Sequence, residues 1–292
     1  MRRYDSPMHP ADPITPCWQA SLDLGFERRG ESTLLVRREH RGPLRVQKAL
    51  YPEGPAMCHA IVLHPPAGIA GGDRLQIDSG VGAGAQALLT TPGAGKWYRS
   101  AGPWAEQAVR LKVGAGATAE WLPQESIVFD GAQASMRTTV ELEQGARFIG
   151  VETLCLGRRA SGEAFERGRL HLGTDICLAG KLLWRERGVI EGGSPLLHSP
   201  IGLAGFSVCS TVLVAGREIA PEILRACRSV SANETGARCG AQCGVSALPQ
   251  LFVGRYLGHS AQAARAWFVA LWQHLRPAII GCEAAVPRIW NT

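Results

Sequence analysis

The sequence predicts a mainly β fold: a coiled, β-solenoid-like single domain with two α-helices near its C-terminal end. Three observations carry that expectation. A Gly-Ala pair recurs at Gly84-Ala85, Gly116-Ala117 and Gly145-Ala146, each time between an alternating segment and a short β-prone one. Repeated β units of this length bury their apolar faces by stacking or coiling on one another. No segment of helical period separates the units, which disfavours a parallel sheet built from βαβ crossovers. The hydrophobic period changes to that of a helix only after residue 220.

The elements follow in order. Residues 1–16 are rich in proline and charge and read as a flexible N-terminal segment, leaving 17–292 as one domain. Residues 32–37 are β-prone, 44–48 alternate apolar and polar, and 58–64 form a strand stopped by Pro65-Pro66. Then come the repeated units: 74–78 with 86–91, 109–113 with 118–122, and 139–143 with 147–151. Each is strand, tight glycine turn, strand, longer connection, and the turn at 80–85 reads as a hairpin. Strand-like text continues through 168–187 and 205–216. In 221–230, Ile223, Leu224, Cys227 and Val230 share a helical face, with Pro221 suited to the first turn. Residues 244–258 read as strand with a break at Pro249. The clearest helix is 260–276, capped by Ser260, carrying a stripe of Ala264, Trp267, Phe268, Leu271 and Leu275, and ended by Pro277.

Composition removes several function classes. Hydrophobic residues at 46% against 19% charged give ample material for a core and exclude intrinsic disorder. No apolar run is long enough for a membrane span, and no apolar stretch follows the N-terminal arginines as a secretory signal would require. A cytoplasmic protein is expected. The net charge of +6 is dispersed, so no nucleic-acid footprint is indicated, whereas an acidic protein partner fits. The nine cysteines are odd in number and irregular in spacing, and read as buried reduced thiols.

Familiar catalytic patterns fail one by one. Residues 91–97 end in Gly95-Lys96, but Thr90 stands where a phosphate loop needs its first glycine and Trp97 where it needs Ser or Thr. Residues 80–85 match a degenerate dinucleotide fingerprint, yet β-prone text follows where a helix must hold the pyrophosphate. There is no Gly-x-Ser-x-Gly elbow and no His-Glu-x-x-His. Cys239 and Cys243 have the wrong gap for a zinc knuckle. His59 and His64 flank a strand, face opposite sides and read as satisfied or exposed. Residues 68–74 differ: Gly71 and Gly72 beside Asp73-Arg74 suggest a sharp backbone turn and a carboxylate held in place.

These stretches together carry a resemblance. Residues 51–55 (YPEGP), 64–75 (HPPAGIAGGDRL, with His64, Gly71, Gly72, Asp73 and Arg74), and 88–100 (LLTTPGAGKWYRS, with Thr91, Lys96, Tyr98 and Arg99) are similar to the urease accessory protein UreD family, also called UreH. Residues 121–132 (WLPQESIVFDGA), Gly157-Arg158, Gly162-Glu163, 256–258, Arg276-Pro277 and 287–290 extend the likeness over about 17–292. Ala67 stands where the family usually has Gly, and Trp97 where it usually has Phe or Tyr. The resemblance implies a helically coiled β domain with two helices and a non-catalytic scaffold role in urease maturation. It implies binding of UreF, through it the GTPase UreG, and of the urease apoprotein subunits. It further implies delivery of Ni²⁺ through an internal tunnel, with no permanently bound cofactor.

Passage of nickel sets a chemical requirement. Thiolate or multi-histidine sites would trap the ion, so weak oxygen donors on inward-facing strands are expected, and no tight metal site. Asp73, Asp130, Glu152 and Glu186 are the candidates, Asp73 first because of its glycine neighbours. Trp272, one step off the helical stripe, and Trp290 in the C-terminal tail are the partner-interface candidates. The competing readings are a β-solenoid enzyme or binding protein acting on a carbohydrate or other anionic polymer, and a metal-storage protein, which the missing His and Cys clusters disfavour.

Overall fold

The computed structural model describes residues 17–232 and 240–291. Residues 1–16 and Cys239, both subjects of expectations above, lie outside the described residues.

The chain starts with two antiparallel pairs, β1 (Gln19–Arg29) with β2 (Ser32–Arg41) and β3 (Arg45–Leu50) with β4 (Met57–Leu63). The coiled part follows as β5 (Gly68–Ile69), β6 (Arg74–Val81), β7 (Gln86–Thr90), β8 (Gly95–Trp97), β9 (Ala105–Val113), β10 (Thr118–Leu122), β11 (Ser126–Val128), β12 (Gln133–Leu142) and β13 (Arg147–Leu156). After it come β14 (Arg169–Leu178), β15 (Lys181–Glu191), α1 (Pro195–His198), β16 (Val208–Ala215), α2 (Pro221–Ser229), β17 (Gln242–Leu248), β18 (Leu251–Gly258) and α3 (Ala261–Ile280). The one-turn α1 was not expected from the sequence.

The strands stack as a β-solenoid of about four turns. One sheet runs β15-β14-β12-β9-β6-β1-β2 and the facing sheet β17-β18-β16-β13-β10-β7-β4-β3, while β5, β8 and β11 form a short parallel ladder beside the second. Within each sheet the coiled strands pair in parallel, and antiparallel pairs close both ends. The Gly-Ala turns are therefore corners and not hairpins, which corrects the expectation at 80–85: β6 and β7 belong to different sheets, as do β9 and β10, and β12 and β13. The geometry explains the repeat. Each corner closes with an N–H to C=O bond over four residues, Ala85 to Gly82, Ala117 to Gly114 and Ala146 to Glu143, all at 3.0 Å. The third residue of each has positive φ, from 65° to 74°, which favours glycine. Each following alanine is fully buried where successive corners stack.

Burial within the strands follows from this layering. In β6 and β9 the inward residues include Leu75, Ile77, Val109 and Leu111, and most of the outward ones are polar. All of β10 is buried, because Trp121 faces the opposing sheet while Glu120 and Leu122 face α3. A second core forms there, between the outer face of the second sheet and α2 and α3.

Both C-terminal helices form where the periodicity places them. Ser260 Oγ accepts the Ala263 N–H at 3.1 Å as the N-cap of α3. Pro277 does not end α3, however; the helix continues to Ile280, and Gly281 in the left-handed region terminates it. A proline in the last turn removes its own donor and little else, so the preceding turns hold. The eight described cysteines form no disulfide with one another; against the expectation of burial, only Cys58 and Cys227 are buried, four are half-buried, and Cys17 and Cys243 are exposed. No helix among the described residues is long and apolar enough to cross a membrane.

Candidate functional site

A cavity of about 240 Å³ lies between the two sheets. One wall comes from β6, β9, β12 and β14, the other from β4, β10, β13 and β16. Apolar side chains such as Val62, Ile77, Trp121 and Phe148 make up much of it, interspersed with Thr138, Thr153, Thr174, Thr211, Gln107 and Gln124. Glu152 is the only acidic residue among the described lining.

Strand register places Glu152. It lies opposite Thr211 across β13 and β16, and Thr211 lies opposite Arg255 across β16 and β18. Directly opposed residues share a face, so the three form one inward row. Arg255 donates through Nη1 to Thr211 Oγ1 at 2.6 Å, and its Nη2 pairs with Glu186 Oε1 of β15 at 2.8 Å. That ion pair joins the two sheets. Burial, and then the negative charge of Glu186, push the Glu152 carboxyl up to about 7, with Arg255 opposing. Near neutral pH this carboxyl exchanges its proton readily.

The other carboxylate candidates fall elsewhere. Asp73 is buried at 3% exposure but is not part of the lining. Its two oxygens accept the Trp18 N–H at 2.7 Å and the Ala70 N–H at 2.8 Å, so it fastens the start of β1 to the glycine turn. Asp130 likewise accepts the backbone N–H groups of Glu166 and Arg167 and the Arg167 side chain. Burial alone would raise its carboxyl, but those bonds hold it below the usual range. Both fasten loops, and neither is part of the cavity lining. Glu186 stands at the rim, paired to Arg255.

The motif residues divide in the same way. His64, Thr91 and Lys96 line the cavity. The His64 Nε2 is buried without a hydrogen-bond partner among the described residues, where the sequence suggested a satisfied or exposed ring. Burial lowers its pKa, against the pull of Asp73, and keeps the ring neutral. Thr91 Oγ1 accepts the Gln124 N–H at 2.9 Å and so ties the segment after β7 to the segment after β10. Gly68 is set by Tyr98, whose ring occupies the space a Cβ would need. Gly72 has φ +95°, and a side chain there would meet Cys17. Gly71 likewise faces Ser100. Arg74 pairs with Glu106 at 3.6 Å and Arg99 with Asp130 at 3.8 Å, both on the surface side.

Trp272 and Trp290 are not exposed, which corrects their assignment as interface residues. Trp272 is fully buried, donates through Nε1 to Glu120 Oε1 at 2.7 Å, and stacks on Phe268. Trp290, at 9% exposure, donates to Thr90 Oγ1 at 2.8 Å. The C-terminal segment packs back on α3, so residues off the main stripe are covered too.

Sequence reasoning missed the polar network beneath them. Arg276, fully buried, holds Glu120 at 2.9 Å and also both oxygens of Glu53, whose Oε1 lies 2.6 Å from His59 Nε2. The available signal was an arginine at the end of an apolar helical stripe, where only an internal acid could compensate it.

Fold and cavity together define a β-solenoid with a partly polar interior large enough for a small ion with its waters. The family model described as UreD urease accessory protein matches residues 19–291. The chain belongs to that family. It is similar to the urease accessory protein UreD of Dechloromonas aromatica, at 56% identity over 95% of this chain and 96% of the relative. It is also similar to those of Azoarcus sp., at 53% over 95% of each chain, and Nitrosococcus oceani, at 48% over 99% of this chain and 95% of the relative.

Proposed function

We propose that this urease accessory protein is a non-catalytic, cytoplasmic scaffold that binds UreF, through it the GTPase UreG, and the urease apoprotein, and that it passes Ni²⁺ through its interior cavity without keeping it. The observation that carries the reading is Glu152, the only carboxylate among the described residues that line an oxygen-bearing cavity between the sheets. Hard oxygen donors hold a divalent ion loosely, and conduction needs binding strong enough to admit the ion and weak enough to release it. Among the described residues no group of three or more His, Cys, Asp or Glu is placed to hold a metal ion, so an ion inside meets few strong donors at once.

Co-expression tests both halves. The tagged chain should retain UreF in stoichiometric amount, and Glu152→Gln should lower urease activation while leaving that capture intact. A soluble, folded chain that never captures UreF would end the scaffold reading. Unchanged activation by the Glu152→Gln chain would end the cavity reading.

A further inference from the structure

The row of Glu152, Thr211 and Arg255 ends in an ion pair that the cavity does not need for its walls. Arg255 belongs to β18 and Glu186 to β15, strands of opposite sheets, and their side chains meet at 2.8 Å. Thr174, the cross-strand neighbour of Glu186, lines the cavity, as do Glu152 and Thr211. The pair therefore stands at one end of the cavity, beside Glu152, the only acidic residue among the described lining. Among the described residues, Arg255 is the cation whose charge opposes the rise of the Glu152 carboxyl.

Charge is unbalanced there. Two carboxylates face one guanidinium, and a divalent ion would neutralise both. The Arg255 side chain is 45% exposed, so it can turn into solvent with little loss. A guanidinium cannot relieve the imbalance by changing its own charge.

We propose that Arg255 is a displaceable internal counter-cation that closes this end of the cavity: an entering divalent cation takes Glu186 and Glu152, and the guanidinium moves out to solvent. The proposal rests on the reading that the cavity carries nickel. Entry releases any proton held by Glu152. Return of the guanidinium to Glu186 then competes with the ion and speeds its exit, so the site stays weak.

Equilibrium dialysis of Ni²⁺ alone against the full chain tests this, with wild type, Arg255→Gln, Arg255→Lys, Glu152→Gln and Glu186→Gln compared, and circular dichroism as the folding control. Arg255→Gln should bind Ni²⁺ about fivefold more tightly, the scale a half-exposed ion pair commands. Glu186→Gln added to it should abolish the gain, and Arg255→Lys should stay near wild type. Equal or weaker binding by Arg255→Gln, with Glu152→Gln and Glu186→Gln still lowering affinity, would overturn the counter-cation and leave the cavity reading standing. Indifference of Ni²⁺ binding to all four substitutions would overturn both. If Arg255→Gln fails to fold, Arg255→Met replaces it under the same criteria.

Discussion

Arg276 of α3 and Glu120 of β10 form an ion pair with both side chains fully buried, 2.9 Å apart and separated by 156 residues of chain. Removing the cation strands Glu120 and Glu53 in an apolar layer. Arg276→Met should therefore cost about 3–5 kcal/mol of stability, while Glu120→Gln, which keeps an acceptor for Trp272, should cost less. Urea denaturation of the two variants gives the comparison.

Glu152 makes stability fall with pH. Its folded carboxyl titrates near 7 and its ordinary value is 4.5, so the folded state holds the proton longer than the unfolded chain does. The favourable contribution is complete below about 4.5 and is lost as pH rises through 7. The loss is up to about 3 kcal/mol by linkage. Glu152→Gln should flatten that part of the stability profile. Parallel profiles for the two proteins would show that Glu152 titrates normally.

Asp73 is a fastener, so its substitution should act through stability. Asp73→Ala removes acceptors from the Trp18 and Ala70 N–H groups and should cost about 1–3 kcal/mol. Ni²⁺ binding by the folded fraction should be unchanged. Lost affinity in fully folded Asp73→Ala protein would return this residue to the ion path.

Gly68 and Tyr98 should be coupled. A methyl group at Gly68 overlaps the Tyr98 ring, so Gly68→Ala alone should cost about 1–3 kcal/mol. Tyr98→Ala in the same chain should recover part of that loss. A double-mutant cycle reads the coupling directly.

How far the sequence reveals this protein depends on how local each signal is. Gly84, Gly116 and Gly145 announce the coils because a positive-φ corner must be written in the chain at that point. Ser260 and the apolar stripe announce α3 for the same reason. Alternation cannot say which sheet a strand joins, so the corner at 80–85 reads as a hairpin. All four candidate acids were legible in the text, but not which of them would line the cavity; Asp73 and Asp130 do not, because an aspartate beside glycine also suits backbone N–H groups. Arg255 and Glu120 gave no sign, since their partners come from remote strands and a helix. Trp272 misled because α3 is covered by the returning tail as well as by the sheet.

The clasp between α3 and the sheet also fixes an order of events during synthesis. Glu53 and Glu120 leave the ribosome long before Arg276, and the outer face of β10 and its neighbours has no cover until then. The coils can stack as they emerge, but this layer seals only when α3, with Arg276 156 residues after Glu120, has been made. Until that moment the nascent chain presents Glu120 without its counter-ion, set in an apolar surface, a face for which a holding chaperone is the natural guardian.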